Sequence, residues 1–508
     1  MDWPVPAAVA RSQRGRGPGL GAAGGTRAGG GPRLGSEAVR VDLNPVLPEL
    51  AVALAAAAVL VGDVFVRGVR ARAAWLVVGL VGLATAASLV GRVGEAAFGR
   101  LYARDGLANA LQLVGLASSV VGLLLARDYL VRRGLDRGEY YALLLLSTVG
   151  AMLLVASQDL LFLFVALETL SLPLYVLAGF ALDSQRSQEA SLKYFLLGSF
   201  ASALLLYGVA LVYGVTSSTS LARLAQAEAS FPLLVGVGLV VVGLGFKAAV
   251  VPFHAWAPDV YEGAPVPAVA FMSVLAKVGA VGALLRVLPV TLPHLLATWQ
   301  PLVAAASAAT MVVGNLGALR QTNLKRMLAY SSVAHAGYLL LGVAAGNALG
   351  VWSTVYYLAV YGAMNLAAFG VLTFLERAGS EADEVEDLRG LADRSPAMAA
   401  AFALSMASLT GLPPTAGFLG KFYLFTAALQ AGLVWLALVG VATSVVSVAY
   451  YLRAAYAAYL GPARAGVRVQ PAPWAGVGVT LSAACTLLFG VLPGPLTSWV
   501  QRVAALLR

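Results

Sequence analysis

The sequence predicts an all-α polytopic membrane protein of about fourteen transmembrane helices, and three observations carry that reading. Of its 508 residues, 60% are hydrophobic and only 11% are charged. Mean hydropathy is +0.83. Apolar runs of about 20 residues recur along nearly the whole chain, each long enough to cross a hydrocarbon core of roughly 30 Å. A water-soluble chain of this composition would expose large apolar patches and aggregate. Lipid removes water from the backbone, so helices are expected. The short alternating segments of a membrane barrel are not seen.

The runs fall at 46–66, 74–93, 106–126, 139–157, 159–181, 191–214, 232–251, 265–286, 301–320, 325–345, 350–375, 397–430, 433–459 and 474–495. Residues 1–44 differ from all of them: the Gly/Arg-rich stretch "RGRGPGLGAAGGTRAGGGPRLG" reads as a disordered tail, and a start placed upstream of the native one is an equal reading. It lacks the continuous apolar core of a signal peptide.

Lysines and arginines in the connecting loops orient the bundle. Loops after odd-numbered helices hold Arg67, Arg70, Arg72, Arg127, Arg132, Arg133, Arg137, Arg186, Lys193, Arg320, Lys325, Arg326, Arg377, Arg389, Arg394, Arg453, Arg464 and Arg468. Loops after even-numbered helices hold only Arg92, Arg100, Arg104, Arg223 and Arg286. The asymmetry places the first set in the cytoplasm and both termini outside. The net charge of +10 is therefore chiefly a topology signal. No aromatic-interleaved basic patch suggests a nucleic-acid partner. The single cysteine, Cys485, lies in an apolar run and reads as a packed small residue. One cysteine builds no disulfide, zinc–thiolate site or iron–sulfur cluster, and three scattered histidines build no metal cage, so no cofactor is expected in this chain.

Two helices are interrupted. The seventh reads "GFKAAVVPFHAWAPDVYEGAP", with Lys247 followed by a break at Pro252. The twelfth reads "SLTGLPPTAGFLGKFYLF", broken from Gly411 to Pro414, with Lys421 beyond. Paired Gly/Pro-interrupted helices point to an ion path near the midplane. Five helices separate the two breaks, which predicts two inverted five-helix repeats, 139–286 (helices 4–8) and 301–459 (helices 9–13). Three helices precede them at 45–138, and the last helix and C-terminus follow at 460–508.

Few ionisable groups lie within the spans: Glu168, Lys247, Lys277 and Lys421. Each costs roughly 2.5–3.5 kcal/mol at a bilayer centre on insertion scales. Snorkelling to the interface is the bland alternative, and it suits Lys247 and Lys277 poorly because both lie well inside their spans. Glu168 and Lys247 are expected to pair, the carboxylate loading or unloading a proton on the amine. Lys277 and Lys421 then read as further proton stations. His335, in "LAYSSVAHAGYLLLG", is either a histidine satisfied by its neighbours or a relay between Lys277 and Lys421. Ser331, Ser332 and Tyr338 are candidate water-holders or simple interhelical glue. His254, Asp259 and Glu262 read as structural or vestibular, and His294 as an interfacial loop residue.

The motifs "GFKAAVVPFHAWAPDVYEGAPVPAVAFMSVLAK", "LKRMLAYSSVAHAGYLLLG" and "GLPPTAGFLGKFYLF" resemble the antiporter-like membrane subunits of type I NADH:quinone oxidoreductase (complex I) over roughly residues 45–500. The form "PDVYEGAPVP", Lys421 and the absence of a long lateral helix after helix fourteen resemble the N branch of that family more than the L or M branches. The resemblance implies a proton-pumping subunit in a bacterial plasma membrane, driven by quinone reduction elsewhere. It implies that FMN, iron–sulfur clusters and the quinone site belong to partner subunits, among them paralogous antiporter-like ones. It assigns Glu168, Lys247, Lys277 and Lys421 as the carboxylate and lysines of helices five, seven, eight and twelve. A secondary cation/proton antiporter or a hydrogenase-linked relative of the same fold is the alternative; a scaffold that no longer pumps is a third.

Overall fold

The computed structural model describes residues 43–505, apart from 66, 67, 92, 93 and 378. The expected N-terminal tail, up to residue 42, and the loop charges Arg67 and Arg92 lie outside the described residues. The helices are α1 (Leu47–Phe65), α2 (Val69–Leu89), α3 (Gly106–Arg132), α4 (Gly138–Val155), α5 (Leu160–Ala178), α6 (Gln185–Thr216), α7 (Leu221–Leu224), α8 (Phe231–Ala248), α9 (Trp256–Gly263) and α10 (Val266–Leu285). They continue with α11 (Leu296–Leu319), α12 (Leu324–Ala345), α13 (Ala348–Leu372), α14 (Leu391–Arg394), α15 (Pro396–Thr410), α16 (Ala416–Gln430), α17 (Val434–Tyr459), α18 (Pro473–Val491) and α19 (Gly494–Ala505). Among the described residues thirteen helices are long and apolar enough to cross a membrane. The twelfth expected crossing is instead divided into α15 and α16, each of 15 residues.

Polar caps start several helices where the apolar runs begin. The Asp105 carboxylate accepts from Ala108 N at the head of α3, and Asp159 accepts from Leu161 N and Phe162 N at the head of α5. Ser184, Asn323 and Asn347 do the same for α6, α12 and α13. Each cap satisfies backbone N–H groups that have no partner within the helix. Asp105 also accepts from the two terminal guanidinium nitrogens of Arg286, at 2.6 and 3.0 Å. Burial alone would raise its carboxyl; the Arg286 charge and these hydrogen bonds hold it below the usual carboxylate range.

Helices α10, α12 and α13 form the centre and are buried over nearly their whole spans, whereas only about a third of α2, α6 and α18 is buried. Two packing circuits share this centre. In the first, α4 packs on α5, α5 on α6, α6 on α8, α8 on α10, and α10 back on α4. In the second, α11 packs on α12, α12 on α13, α13 on α15 and α16, α15 on α17, and α17 back on α11. Among the described residues, strands occur only in connections. Glu95–Ala97 (β1) pairs antiparallel with Tyr102–Arg104 (β2). A three-stranded sheet has the order β4 (Ser380–Glu381), β3 (Leu375–Arg377), β5 (Val467–Val469).

The structure corrects three expectations of position. The seventh helix ends at Ala248, before Pro252. Pro252 has no N–H to give the Ala248 carbonyl, and a residue preceding proline is pushed out of the α region, so the helix closes earlier. Arg127 and Arg286, counted with the loops, are buried in ion pairs with Asp136 and Asp105. Lys325 is likewise buried, at the head of α12, because Glu381 from β4 meets it there.

Candidate functional site

Both interruptions are built the same way. α8 closes with Ala249 in the left-handed region (φ 62°). Ala249 N bonds Phe246 O and Val250 N bonds Gly245 O. α15 closes with Gly411 (φ 91°), where Gly411 N bonds Ser408 O and Leu412 N bonds Ala407 O. Each is a Schellman motif, which uses up helix-terminal carbonyls and turns the chain out. Each is followed three residues later by a proline, Pro252 or Pro414.

The lysines occupy different places in these matching frames. Lys247 lies in the last turn of α8, two residues before the left-handed position. Its side chain is buried between the rings of Tyr175 on α5 and Tyr194 on α6, with Nζ 4.9 and 4.7 Å from their centroids. Nζ has no hydrogen-bond partner among the described residues. Lys421 lies on α16, past its break, and reaches back to the end of α15. It donates to Leu409 O (3.0 Å), Thr410 O (2.8 Å) and Ser444 Oγ (2.8 Å), over the Tyr338 ring at 4.7 Å. Three donors meet three acceptors there, at the negative end of a helix dipole.

The expected Glu168–Lys247 pairing is not a direct contact. Glu168 on α5 is half-buried and accepts from Ser202 on α6. Tyr175 lies two turns along α5 from Glu168 and presents its ring, rather than the carboxylate, to Lys247.

Lys277 and His335, in contrast, sit on the most buried helices and make side-chain hydrogen bonds there: one from the Lys277 ammonium and one at each ring nitrogen of His335. Lys277 Nζ donates to Ser332 Oγ at 2.6 Å. Ser332 Oγ also lies 2.9 Å from the Tyr361 hydroxyl and 3.4 Å from that of Tyr261 on α9. His335 bonds Tyr357 through Nδ1 (2.7 Å) and Tyr451 through Nε2 (3.1 Å), and Tyr451 in turn bonds Ser331. The imidazole stands 5.2 Å from the Tyr361 ring and 5.7 Å from the Tyr338 ring. His335 is thus placed between the Lys277 cluster and the Lys421 cluster. The three clusters touch through aromatic rings, with hydrogen bonds inside each.

Toward Lys247 the run of contacts is aromatic. Tyr194 stacks on Trp256 at 4.3 Å, Trp256 meets Tyr261 edge-on at 6.2 Å, and Tyr261 reaches Ser332. Asp259 and Glu262 lie apart from this line, paired with Lys193 and Arg326. His254 lies in the turn after α8, and His294 is exposed, 3.2 Å from Ala227 O. Ser331, Ser332 and Tyr338 belong to the network. Tyr357, Tyr361 and Tyr451 do not stand out in the sequence, although Tyr357 and Tyr361 have i, i+4 spacing in "VYYLAVYG", one face of a helix in a buried span.

A multi-span bundle with two interrupted helices and a line of buried lysines between them is an antiporter-like membrane subunit. Residues 157–447 match the transmembrane family described as NADH:quinone oxidoreductase/Mrp antiporter, and the chain belongs to that family. It is 40% identical to the NADH-quinone oxidoreductase subunit N of Trichlorobacter lovleyi over 92% of this chain and 98% of the relative. A chain of respiratory complex I from Thermus thermophilus superposes with a TM-score of 0.76 at 37% identity, covering 89% of this chain and 99% of that one. A chain of an archaeal membrane-bound sulfane sulfur reductase superposes with a TM-score of 0.81 at 26% identity, over 92% and 98%. The fold is therefore shared by complexes of different chemistry, and sequence separates them better than shape does.

Proposed function

We propose that this chain is the N-type membrane subunit of a bacterial NADH:quinone oxidoreductase, moving protons across the plasma membrane while electron transfer from NADH to quinone proceeds in partner subunits. FMN, the iron–sulfur clusters and the quinone site are assigned to those partners, other antiporter-like subunits among them. The observation that carries the reading is the position of His335, bonded at both ring nitrogens, between Lys277 and Lys421. The 40% identity to a subunit N over nearly its full length supports this reading over a secondary antiporter of the same fold.

In this reading Lys247, Lys277, His335 and Lys421 are proton stations. Ser332 and Tyr361 position the Lys277 amine, and Tyr357 and Tyr451 hold the imidazole plane and tautomer. The aromatic stretch from Lys247 to Tyr261 has no continuous donor–acceptor chain, so transfer there requires side-chain motion or water. Glu168, bonded to Ser202 and half-exposed, acts on Lys247 through its charge rather than through a shared proton. The two packing circuits support division into inverted repeats at 139–286 and 301–459, since the helices of the two sets pack in the same order and the start of α11 follows that of α4 by an odd number of crossings, five. The arginine-rich loops support placing both termini outside.

The test is made on the intact complex. A tagged version of this chain is expected to copurify with NADH:quinone reductase activity, and Lys277→Ala is expected to assemble and reduce quinone while inside-out vesicles lose most of their proton uptake. Full uptake by that variant would remove the relay; copurification without a quinone reductase would favour the antiporter.

A further inference from the structure

The ion pair of buried Lys325 and half-buried Glu381 lies outside the line of stations, and its surroundings are those of an entrance. A cavity of about 580 Å³ opens among Tyr129, Arg133, Asp183, Glu262, Lys325 and Glu381, on the arginine-rich face. The pair lines it. Lys325 Nζ donates to Glu381 Oε2 at 2.5 Å and to Ala264 O at 3.0 Å. Glu381 Oε1 accepts from the Tyr129 hydroxyl at 2.5 Å and from Val266 N at 3.0 Å. Burial alone would raise the Glu381 carboxyl; the Lys325 charge and these hydrogen bonds hold it below the usual carboxylate range. Three elements meet at one carboxylate: α3 through Tyr129, the head of α10 through Val266, and the head of α12 through Lys325. Inward from there, α12 carries Ser332 seven residues on from Lys325, two turns or about 10 Å deeper, and Ser332 accepts from Lys277.

We propose that the Lys325–Glu381 pair is the gate through which protons from the arginine-rich face reach Lys277. This rests on the proton-translocating reading above. A proton arriving in the cavity neutralises Glu381 and releases Lys325. The freed ammonium passes a proton inward, by way of the Ser332 hydroxyl, to an unprotonated Lys277 amine. Lys325 then recovers a proton from Glu381, and the pair re-forms. One proton leaves the cavity and one arrives at Lys277. With the pair closed, Ser332 is shielded from the cavity.

The experiment uses the whole complex in inside-out vesicles, in a Cys485→Ser background that removes the one native thiol of this chain, with labelling read on this chain alone. Glu381→Gln is expected to keep quinone reduction in the uncoupled complex and to lose most proton uptake; Glu381→Asp, which keeps the charge but shortens the reach, is expected to fall between it and the parent. Ser332→Cys reports the gate directly. A membrane-impermeant thiol reagent on the arginine-rich face is expected to label it slowly with the pair intact and severalfold faster with Glu381→Gln. That readout separates a gate from a merely structural pair. Equal labelling with and without Glu381→Gln would overturn the gate, as would full proton uptake by Glu381→Gln while Lys277→Ala abolishes it. If Lys277→Ala itself leaves uptake intact, the station reading falls and the gate with it.

Discussion

The two interrupted helices share a frame and differ in how they hold their lysine. In both, a Schellman turn is followed three residues later by proline. Counted from the left-handed residue, Lys247 corresponds to Leu409, and Lys421 corresponds to Asp259. The lysines are therefore not positional counterparts. Yet Lys421 reaches back and bonds the carbonyl of Leu409, the residue that stands where Lys247 stands in the other frame. Both ammonium-bearing side chains thus end beside the terminus of the first half-helix, one arriving from within and the other from across the break. What separates them is their partners: three hydrogen-bond acceptors for Lys421, two aromatic faces and no acceptor for Lys247. Lys421 is held by hydrogen bonds, and Lys247 by the packing of two rings.

The strongest way to break this contrast is to remove each charge without removing its bulk. Lys421→Met leaves the Leu409 carbonyl short of a donor in a buried site and takes from Thr410 O one of its two, the Ser444 hydroxyl remaining. A cost of about 1–3 kcal/mol is expected, read as earlier thermal loss of this chain from the detergent-solubilised complex. Lys247→Met breaks no hydrogen bond and is expected to stay within about 1 kcal/mol of the parent, since only ring contacts are exchanged. Equal thermal shifts would show that the two lysines are held alike. Proton uptake in vesicles is expected to fall in both, so the stability and transport readouts part company at Lys247.

The rings provide the next discrimination. Tyr194→Leu removes one of the two faces against Lys247. Uptake is expected to fall by up to roughly thirtyfold, the equivalent of a desolvated cation–π contact of about 2 kcal/mol. Tyr338→Leu takes the ring from Lys421 but leaves its three acceptors, so a smaller loss is expected. A larger effect at Tyr338 would place the importance of that ring in its contact with His335 instead.

Much of this is legible in the sequence, and the boundary of legibility has a physical cause. Apolar length marks the spans, and Gly/Pro chemistry marks both interruptions, because those features act locally. Lys277, Lys421 and His335 stand out because a charge or an imidazole is costly in an apolar run and persists only where something offsets that cost. The Glu168–Lys247 pairing fails as a direct contact because opposite charge says nothing of local packing: Lys247 lies over the Tyr175 ring, and Glu168 is bonded by Ser202. Lys325 reads as a loop charge because it begins a helix; only the fold brings β4, fifty-six residues on, to bury it with Glu381. The tyrosines at 357, 361 and 451 lie in apolar spans where an aromatic ring conflicts with nothing, so their hydroxyls stay hidden until the helices are assembled.

The smallest expected effect tests the shared frame itself. Gly411 and Ala249 occupy the same left-handed position, but only the glycine adopts it freely. An L-residue there is strained by roughly 1–2 kcal/mol, while glycine loses about 0.5–1 kcal/mol of chain entropy on ordering. Gly411→Ala is expected to destabilise by more than the backbone term alone, because the new Cβ would stand 3.0 Å from Lys421 Cδ and press on the side chain bonded to Leu409 and Thr410. Ala249→Gly is expected to be close to neutral, because relief of the backbone strain is offset by glycine's chain entropy and by loss of a buried methyl worth about 0.8 kcal/mol. The same pair of thermal measurements checks both. If Ala249→Gly lowers stability as much as Gly411→Ala does, the Ala249 methyl is packing against something that outweighs its backbone strain. The two turns would then be alike in hydrogen bonding but not in what stabilises them.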